Sequence, residues 1–160
     1  MAETAHSRKQ LKGDAMGSLT PMVTYSQEHT PRDYGHLITL RASAINDCKA
    51  CMTTHRRDAR DDGWDEERIL HAEDWTNHAD VFDADEQLVL RLTDAITHID
   101  GYASVPDELW NAAEERFGVQ GTHDILVSIC AINVFNRVSI ATRTDPERIK
   151  GATEFDLDFA

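Results

Sequence analysis

LITLRASAINDCKAC, residues 37–51, is the stretch of this chain that carries most information about its structure. Its apolar positions recur at the spacing of one helix face. They are Leu37, Ile38, Ala42 and Ile45. Asn46-Asp47 then interrupts the apolar pattern, and a second helix is predicted from the cysteines to Gly63, because glycine is typical of helix C-termini. The stretch therefore predicts two consecutive helices joined by a tight turn.

The second of these helices carries a C-x-x-C-x-x-x-H cluster made of Cys48, Cys51 and His55. Residues three and four positions apart lie on one helix face, so both sulfur atoms and the imidazole are expected to converge. The cysteines also lie near the predicted helix start, where the helix dipole and unpaired N–H groups favour a thiolate. The sequence therefore predicts a reactive dithiol with an adjacent base.

The rest of the chain also shows helical periods and no strong strand signal, which predicts an all-α protein of about seven or eight helices. Thr30 is predicted to cap the helix that contains residues 37–45, and Asp83 to Glu86 is predicted to form a capping box. Further helices are predicted at about residues 19–23, 65–75, 86–99, 106–118 and 122–142, the last mostly apolar and therefore central. The charged run from Arg56 to Asp62 is interpreted as a solvent-exposed face.

The composition limits the classes of partner. The chain has 160 residues, enough for one domain with a substantial core, and 29 acidic residues against 16 Lys plus Arg give a net charge of -13. Such a surface repels nucleic acids and anionic membranes, so neither is an expected partner. The first residues lack the apolar region of a signal peptide, and Ser128 and Asn133 interrupt the longest apolar run, so neither a signal peptide nor a membrane-spanning helix is expected. A cytoplasmic protein is expected, and there a C-x-x-C pair is typical of redox or metal sites.

Two blocks of sequence resemble the alkylhydroperoxidase D-like branch of the carboxymuconolactone decarboxylase superfamily. One is residues 37–51, continued by His55, Ala59 and Gly63, and the other is AINVFNR, residues 131–137, in the last helix. The resemblance covers about residues 16–143 and implies a helical domain of that type. Residues 1–15 are interpreted as an N-terminal arm. Residues 144–160 are interpreted as an acidic tail that is either flexible or a strap on a neighbouring subunit.

The resemblance implies a homo-oligomeric peroxidase, a dimer, trimer or hexamer, that uses neither a cofactor nor a metal. Its substrate would be a hydroperoxide, and its electrons would come from a dithiol protein or small thiol. By the same resemblance, Cys51 corresponds to the cysteine that attacks the peroxide, and Cys48 to the more exposed cysteine that meets the reductant. His55 resembles the base that deprotonates the attacking thiol. Leu40, Ile132 and Phe135 are candidates for the wall of a pocket that favours an organic peroxide.

This sequence departs from the family pattern at two positions. His36 stands where the branch usually has a glutamate of the proton relay, and Ala44 stands where it commonly has glutamine. A neutral histidine can pass a proton, but it does not stabilise an imidazolium as an anion does. The relay is therefore expected either to survive in altered form or to leave a weak or lost peroxidase activity. His36 itself is predicted to be a relay member or a packed or helix-surface histidine.

Two alternatives to a peroxidase remain open at the level of sequence. His36, Cys48, Cys51 and His55 offer two nitrogen and two sulfur ligands, a set that suits tetrahedral zinc in a non-enzymatic, zinc-stabilised or ligand-binding oligomer. The decarboxylase side of the superfamily acts on a lactone of aromatic degradation and does not depend on a C-x-x-C pair. The third cysteine, Cys130, lies in the apolar last helix and is interpreted as a small buried hydrophobic residue.

Overall fold

The computed structural model describes residues 8–160, and within that range it is built from helices without strands. The predicted all-α class is confirmed. The α-helices are α1 (Gly13–Gly17), α2 (Thr20–His29), α3 (Arg32–Ile45), α4 (Lys49–Asp61), α5 (Glu66–Glu73), α6 (Ala84–Thr97) and α7 (Asp107–Thr142). Short 3-10 helices cover Trp75–Asn77, Ala79–Val81, Pro146–Arg148 and Phe155–Leu157. The first seven residues of the predicted N-terminal arm lie outside the described residues.

Helix α3 is the centre of the molecule, and α4, α5, α6 and α7 all pack against it. One face of α3 contributes Ile38 and Ala42 to a cluster with the apolar faces of α6 and α7. The opposite face contributes Leu37 and Leu40 to a second cluster that includes the tryptophans after α4 and α5. Because α3 is buried on two sides, it fixes the position of α4, which carries the cysteine pair.

The local helix signals are confirmed in some places and wrong in others. Asp83 and Glu86 form the predicted reciprocal capping box of α6. Thr30 does not cap α3, because its hydroxyl donates to the backbone oxygen of Asp124 and lies 2.7 Å from the hydroxyl of Ser128. The predicted break near residue 118 is present as a left-handed Gly118 at φ 75° inside α7, a conformation that favours glycine.

Helix α7 is long and apolar enough to cross a membrane by length and composition alone, contrary to the expectation from its interruptions. In the folded chain it is a core helix that packs on α2, α3 and α6. Core helices of globular proteins pass the same test, and 33% of the most apolar window of α7 is buried inside the chain.

The prediction that residues 56–62 form a solvent-exposed face is wrong for the three arginines, whereas Asp61 and Asp62 are exposed as expected. Arg56 is only 3% exposed and forms a two-pronged ion pair with Glu73, with N–O distances of 2.6 and 2.7 Å. Arg57 and Arg60 donate to the C-terminal segment, residues 144–160, which folds back along α4 of its own chain. We call this segment the strap. It covers the face of α4 that sequence periodicity had assigned to water.

Candidate active site

The cysteine pair is positioned by the tight turn between α3 and α4. Asp47 adopts a left-handed conformation (φ 52°), which turns the chain so that Cys48 becomes the N-cap of α4. The amide of Cys48 donates to the backbone oxygen of Ser43, and its carbonyl accepts from Met52. Cys48 and Cys51 are joined by a disulfide across the first turn of α4, with their Cα atoms 5.2 Å apart. The predicted placement of the pair at a helix start is confirmed.

An amide network holds this turn against α7. The side-chain nitrogen of Asn46 donates to the side-chain oxygens of Asn133 and Asn136, at 2.9 Å each. Asn136 is fully buried and donates to the hydroxyl of Ser43, at 3.1 Å. A buried polar network whose members are all bonded specifies one arrangement, so these residues fix the end of α3 from which Cys48 departs.

The active-site cavity, a space of about 440 Å³, contains Cys51, His55 and His36 in its wall. Of the predicted wall residues, Ile132 and Phe135 line it, while Leu40 is fully buried in the core and does not. The Cys51 Sγ lies 4.0 Å from the backbone oxygen of Phe135. The other apolar lining residues are Val23, Ala50, Ala131 and Ile149. The cavity surface is thus mostly apolar, with polar side chains such as Gln27, Thr54 and Ser139 also in its wall, as is usual for pockets that bind small molecules.

His55 has an acidic partner that orients it. Its Nδ1 lies 3.6 Å from the Oδ2 of Asp58, and the imidazole is about one-fifth exposed. Burial opposes ionisation of Asp58, but the neighbouring His55 and Arg57 outweigh it and hold the pKa of that carboxyl below its ordinary value. An anionic Asp58 beside Nδ1 favours the tautomer that carries a proton there, which leaves Nε2 as the basic nitrogen.

His36 is also paired with a carboxylate. The imidazole is buried, and its Nε2 lies 2.6 Å from the Oδ2 of Asp62, which also accepts from the guanidinium of Arg32. Hydrogen bonds from Arg32 and His36 lower the pKa of Asp62 to about 2, so it is anionic at neutral pH. The ring of Trp64 packs edge-on against His36, with centroids 5.3 Å apart. Sequence reasoning missed Asp62 as a site residue because it counted this residue among the solvated charges.

A second, smaller cleft of about 370 Å³ opens on the other side of the disulfide, and Cys48 lies in its wall. Lys49 and Arg143 line this cleft together with Asp145 and Pro146 of the strap. The expectation that Cys48 is the more exposed cysteine is wrong for this chain, since Cys48 is 1% exposed and Cys51 is 6% exposed. Residues of the strap and of the end of α7 line the same cleft as Cys48, and neither segment could be placed beside Cys48 from the sequence.

The remaining candidate residues take ordinary structural positions. Within residues 8–160 no group of three or more His, Cys, Asp or Glu side chains is placed to hold a metal ion. The Nε2 of His36 faces Asp62, and the two sulfur atoms are bonded to each other. Cys130 is a free, half-buried cysteine in α7 rather than a fully buried one, and burial raises the pKa of its thiol.

The chain is similar to known proteins over most of its length. Residues 15–95 match the model of the carboxymuconolactone decarboxylase family. An uncharacterized protein of Bacillus subtilis (strain 168), YdfG, is 33% identical over 129 residues, which cover 80% of this chain and 86% of that protein. A crystal structure from Agrobacterium tumefaciens superposes with a TM-score of 0.80 at 28% identity, covering 88% of this chain and 97% of that one. It is of a protein of unknown function, considered a candidate antioxidant defence protein AhpD.

Proposed function

Because this chain belongs to the carboxymuconolactone decarboxylase family, and because a structural neighbour is considered a candidate for antioxidant defence, we propose that it reduces hydroperoxides through Cys48 and Cys51. The observation that carries the proposal is that the disulfide has Cys51 in the wall of an apolar cavity beside two carboxylate-paired histidines. Decarboxylation of a lactone has no need of such a dithiol, which is why we favour the redox activity.

The first step is attack of Cys51 on the peroxide. In the reduced protein, His55 takes the thiol proton at Nε2, and the thiolate attacks the terminal oxygen of the hydroperoxide. The O–O bond breaks, Cys51 becomes a sulfenic acid, and the departing alkoxide receives the proton from His55 as the alcohol. The first turn of α4 supports the anionic sulfur through the N–H groups and dipole of the helix N-terminus.

The second step closes the disulfide. Cys48, one turn away, attacks the sulfenic sulfur as a thiolate, and hydroxide leaves as water after taking a proton. An external dithiol then reduces the disulfide through a mixed disulfide, so that two electrons pass from the dithiol to the peroxide in each cycle. Such a cycle needs a reducing compartment, which is why we place the protein in the cytoplasm.

The pair formed by His36 and Asp62 stands in for the relay glutamate. An anionic Asp62 accepts a hydrogen bond from the Nε2–H of His36, which leaves Nδ1 as the ring nitrogen that can accept a proton. The negative charge that a glutamate would supply directly is thereby supplied through the imidazole. We infer that the relay works through this pair rather than being lost with the glutamate.

A homo-oligomer is part of the proposal. Only 33% of the most apolar window of α7 is buried inside the chain. Val127, Cys130, Val134 and Val138 follow one another at helical spacing and remain partly exposed. A second copy packing along this stripe would bury apolar surface that a single chain leaves in water.

The test is a thiol titration of the fully reduced protein before and after one equivalent of cumene hydroperoxide. We expect a rapid loss of both thiols of the pair, no disulfide in Cys48→Ser, and no reaction at the pair in Cys51→Ser. Cys130→Ser is the matched control and should react like the parent. Full peroxide turnover by Cys51→Ser would refute the assignment of the attacking sulfur, and stoichiometric zinc with unreactive thiols would favour the metal-bound alternative.

A further inference from the structure

The strap forms part of the wall of both cavities that flank the disulfide. Thr144 and Ile149 line the active-site cavity on the side of Cys51. Thr144, Asp145 and Pro146 line the smaller cleft on the side of Cys48. The end of the strap lies beside the first turn of α4, where the ammonium group of Lys49 sits 4.8 Å from the ring centroid of Phe159. Access to either sulfur therefore depends on where the strap lies.

The strap is attached mainly by polar contacts with three arginines of α4. Arg56 donates to the backbone oxygens of Phe155 and Asp158, and Arg57 donates to that of Lys150. Arg60 donates to Gly151, Thr153 and the carboxylate of Asp156. Phe155 packs against the second core cluster, and Arg56 lies over the rings of Phe155 and Phe159. The apolar side chains of the strap are nevertheless only partly buried: Ile149, Phe155, Leu157 and Phe159. A segment held in this way separates from the core more readily than one held by buried apolar surface.

Asp156 is the main anchor of the strap. It is fully buried, and its Oδ2 accepts from Arg60 at 2.7 Å and from the amide of Thr153 at 2.7 Å. Its other carboxylate oxygen has no hydrogen-bond partner among the described residues. Burying a carboxylate with one oxygen unsatisfied is costly, so the closed strap is stabilised less than a fully satisfied ion pair would allow.

We propose that the strap determines which dithiols reduce the Cys48–Cys51 disulfide. Small-molecule dithiols reach Cys48 with the strap in place, whereas a dithiol on a protein reaches it only after the strap is displaced. The cleft at Cys48, at about 370 Å³, is of the size that accommodates a small molecule. A dithiol on a folded protein approaches on a broad surface, and such a surface meets the strap before it meets Cys48, which is 1% exposed. The inference rests on the proposed function only in requiring that this disulfide is reduced in each cycle.

The reduction itself is ordinary thiol–disulfide exchange. A thiolate of the external dithiol attacks the Sγ of Cys48, the bond between the two sulfurs breaks, and Cys51 leaves as a thiolate. The second thiol of the reductant loses its proton and attacks the reductant sulfur that is bonded to Cys48, which releases Cys48 as a thiolate. The reductant ends as a disulfide, and the protein gains two electrons, with the protons passing to the thiolates or to solvent.

The experiment measures the rate at which thiols appear in the oxidised full-length protein, without peroxide, with dithiothreitol or with a bacterial thioredoxin as reductant. Asp156→Ala and Arg60→Ala release the strap, and Lys150→Ala removes an exposed strap side chain as the matched control. We expect the rate constant with thioredoxin to rise roughly tenfold or more in the two release variants. Both remove the ion pair that anchors the strap, and Arg60→Ala also leaves the buried carboxylate of Asp156 without its cation. The rate with dithiothreitol should change much less, and Lys150→Ala should match the parent.

An equal change with both reductants, or no change with thioredoxin, would overturn the inference. Amide exchange on the parent protein provides a measurement that does not depend on the variants. Residues 150–158 should exchange much faster than α3, and equal protection would also overturn it. If the reduction rates follow the expectation but hydroperoxide is never consumed, the proposed function fails and this inference stands.

Discussion

Removing the carboxylate of Glu73 should destabilise the protein strongly, because it leaves the charge of Arg56 buried without an anion. Arg56 is 3% exposed and Glu73 is 9% exposed, and two N–O contacts of 2.6 and 2.7 Å join them. Breaking a buried pair in this way costs about 3–5 kcal/mol. Two backbone oxygens still accept from Arg56, so the expected loss for Glu73→Ala is near the lower end, about 3 kcal/mol. For a domain of this size that corresponds to a fall in Tm of roughly 6–12 °C.

The assay is urea unfolding of the oxidised protein at pH 7, supported by calorimetry. Glu67→Ala is the matched control, since Glu67 lies in the same helix, is 83% exposed and has only a distant histidine partner at 4.0 Å. That change should stay within about 0.5 kcal/mol of the parent. The double variant Arg56→Met with Glu73→Leu should recover most of the loss, because no unpaired charge remains. A Glu73→Ala variant as stable as the control, or a double variant no better than the single one, would refute the reasoning.

Three further predictions concern the site, the surface and the helix signals. Asp62→Asn should lower the free energy of unfolding by about 1 kcal/mol at pH 7. This is less than the shift of the Asp62 pKa from an ordinary 3.8 to about 2 implies, because solvent screens a partly exposed group. Since the folded-state pKa is depressed, the contribution of Asp62 is present above about pH 4 and disappears as the pH falls towards 2, so the stability of the variant in urea unfolding should depend less on pH in that range. Val134→Asp should reduce the mass measured by light scattering, and a parent protein that is already monomeric would contradict the α7 stripe as an interface. Asp83→Ala should cost about 1 kcal/mol in the same unfolding assay by removing the capping box, and no loss would show that α6 does not need it.

Features set by neighbouring residues could be read from the sequence. The start of α4 at the cysteines, the capping box of α6 and the break at Gly118 all depend on a few consecutive side chains and backbone angles. The carboxylate partners of the two histidines were harder to predict from the sequence. Asp58 is one turn from His55, but Asp62 is 26 positions from His36 and reaches it only because α3 and α4 pack together. Periodicity says which face a residue occupies and not which distant element covers that face.

The strap shows the same limit at larger scale. Arg56, Arg57 and Arg60 lie on a face of α4 that is polar enough to be exposed, and nothing in its spacing distinguishes water from a folded-back tail. The tail is acidic and poor in apolar residues, so its sequence alone favours a loose segment. Only the tertiary contacts show that arginines of one segment bind backbone oxygens of the other. Backbone oxygens carry no sequence signal, and contacts to them cannot be predicted from residue types.

The first turn of α4 separates two cavities, and this arrangement has a consequence for the order of events. Cys51 faces the larger apolar cavity and Cys48 faces the smaller, more polar cleft. In the proposed cycle, the peroxide and the reductant would therefore not compete for one opening. A reductant in the cleft can attack only Cys48, which leaves Cys51 as the departing thiolate, already at the cavity with His55. In the proposed cycle, the sulfur that attacks the next peroxide is therefore the one released as a thiolate. Thr144 lines both spaces, so a change in the position of the strap there would affect both proposed half-reactions, the reduction of the peroxide and the reduction of the disulfide.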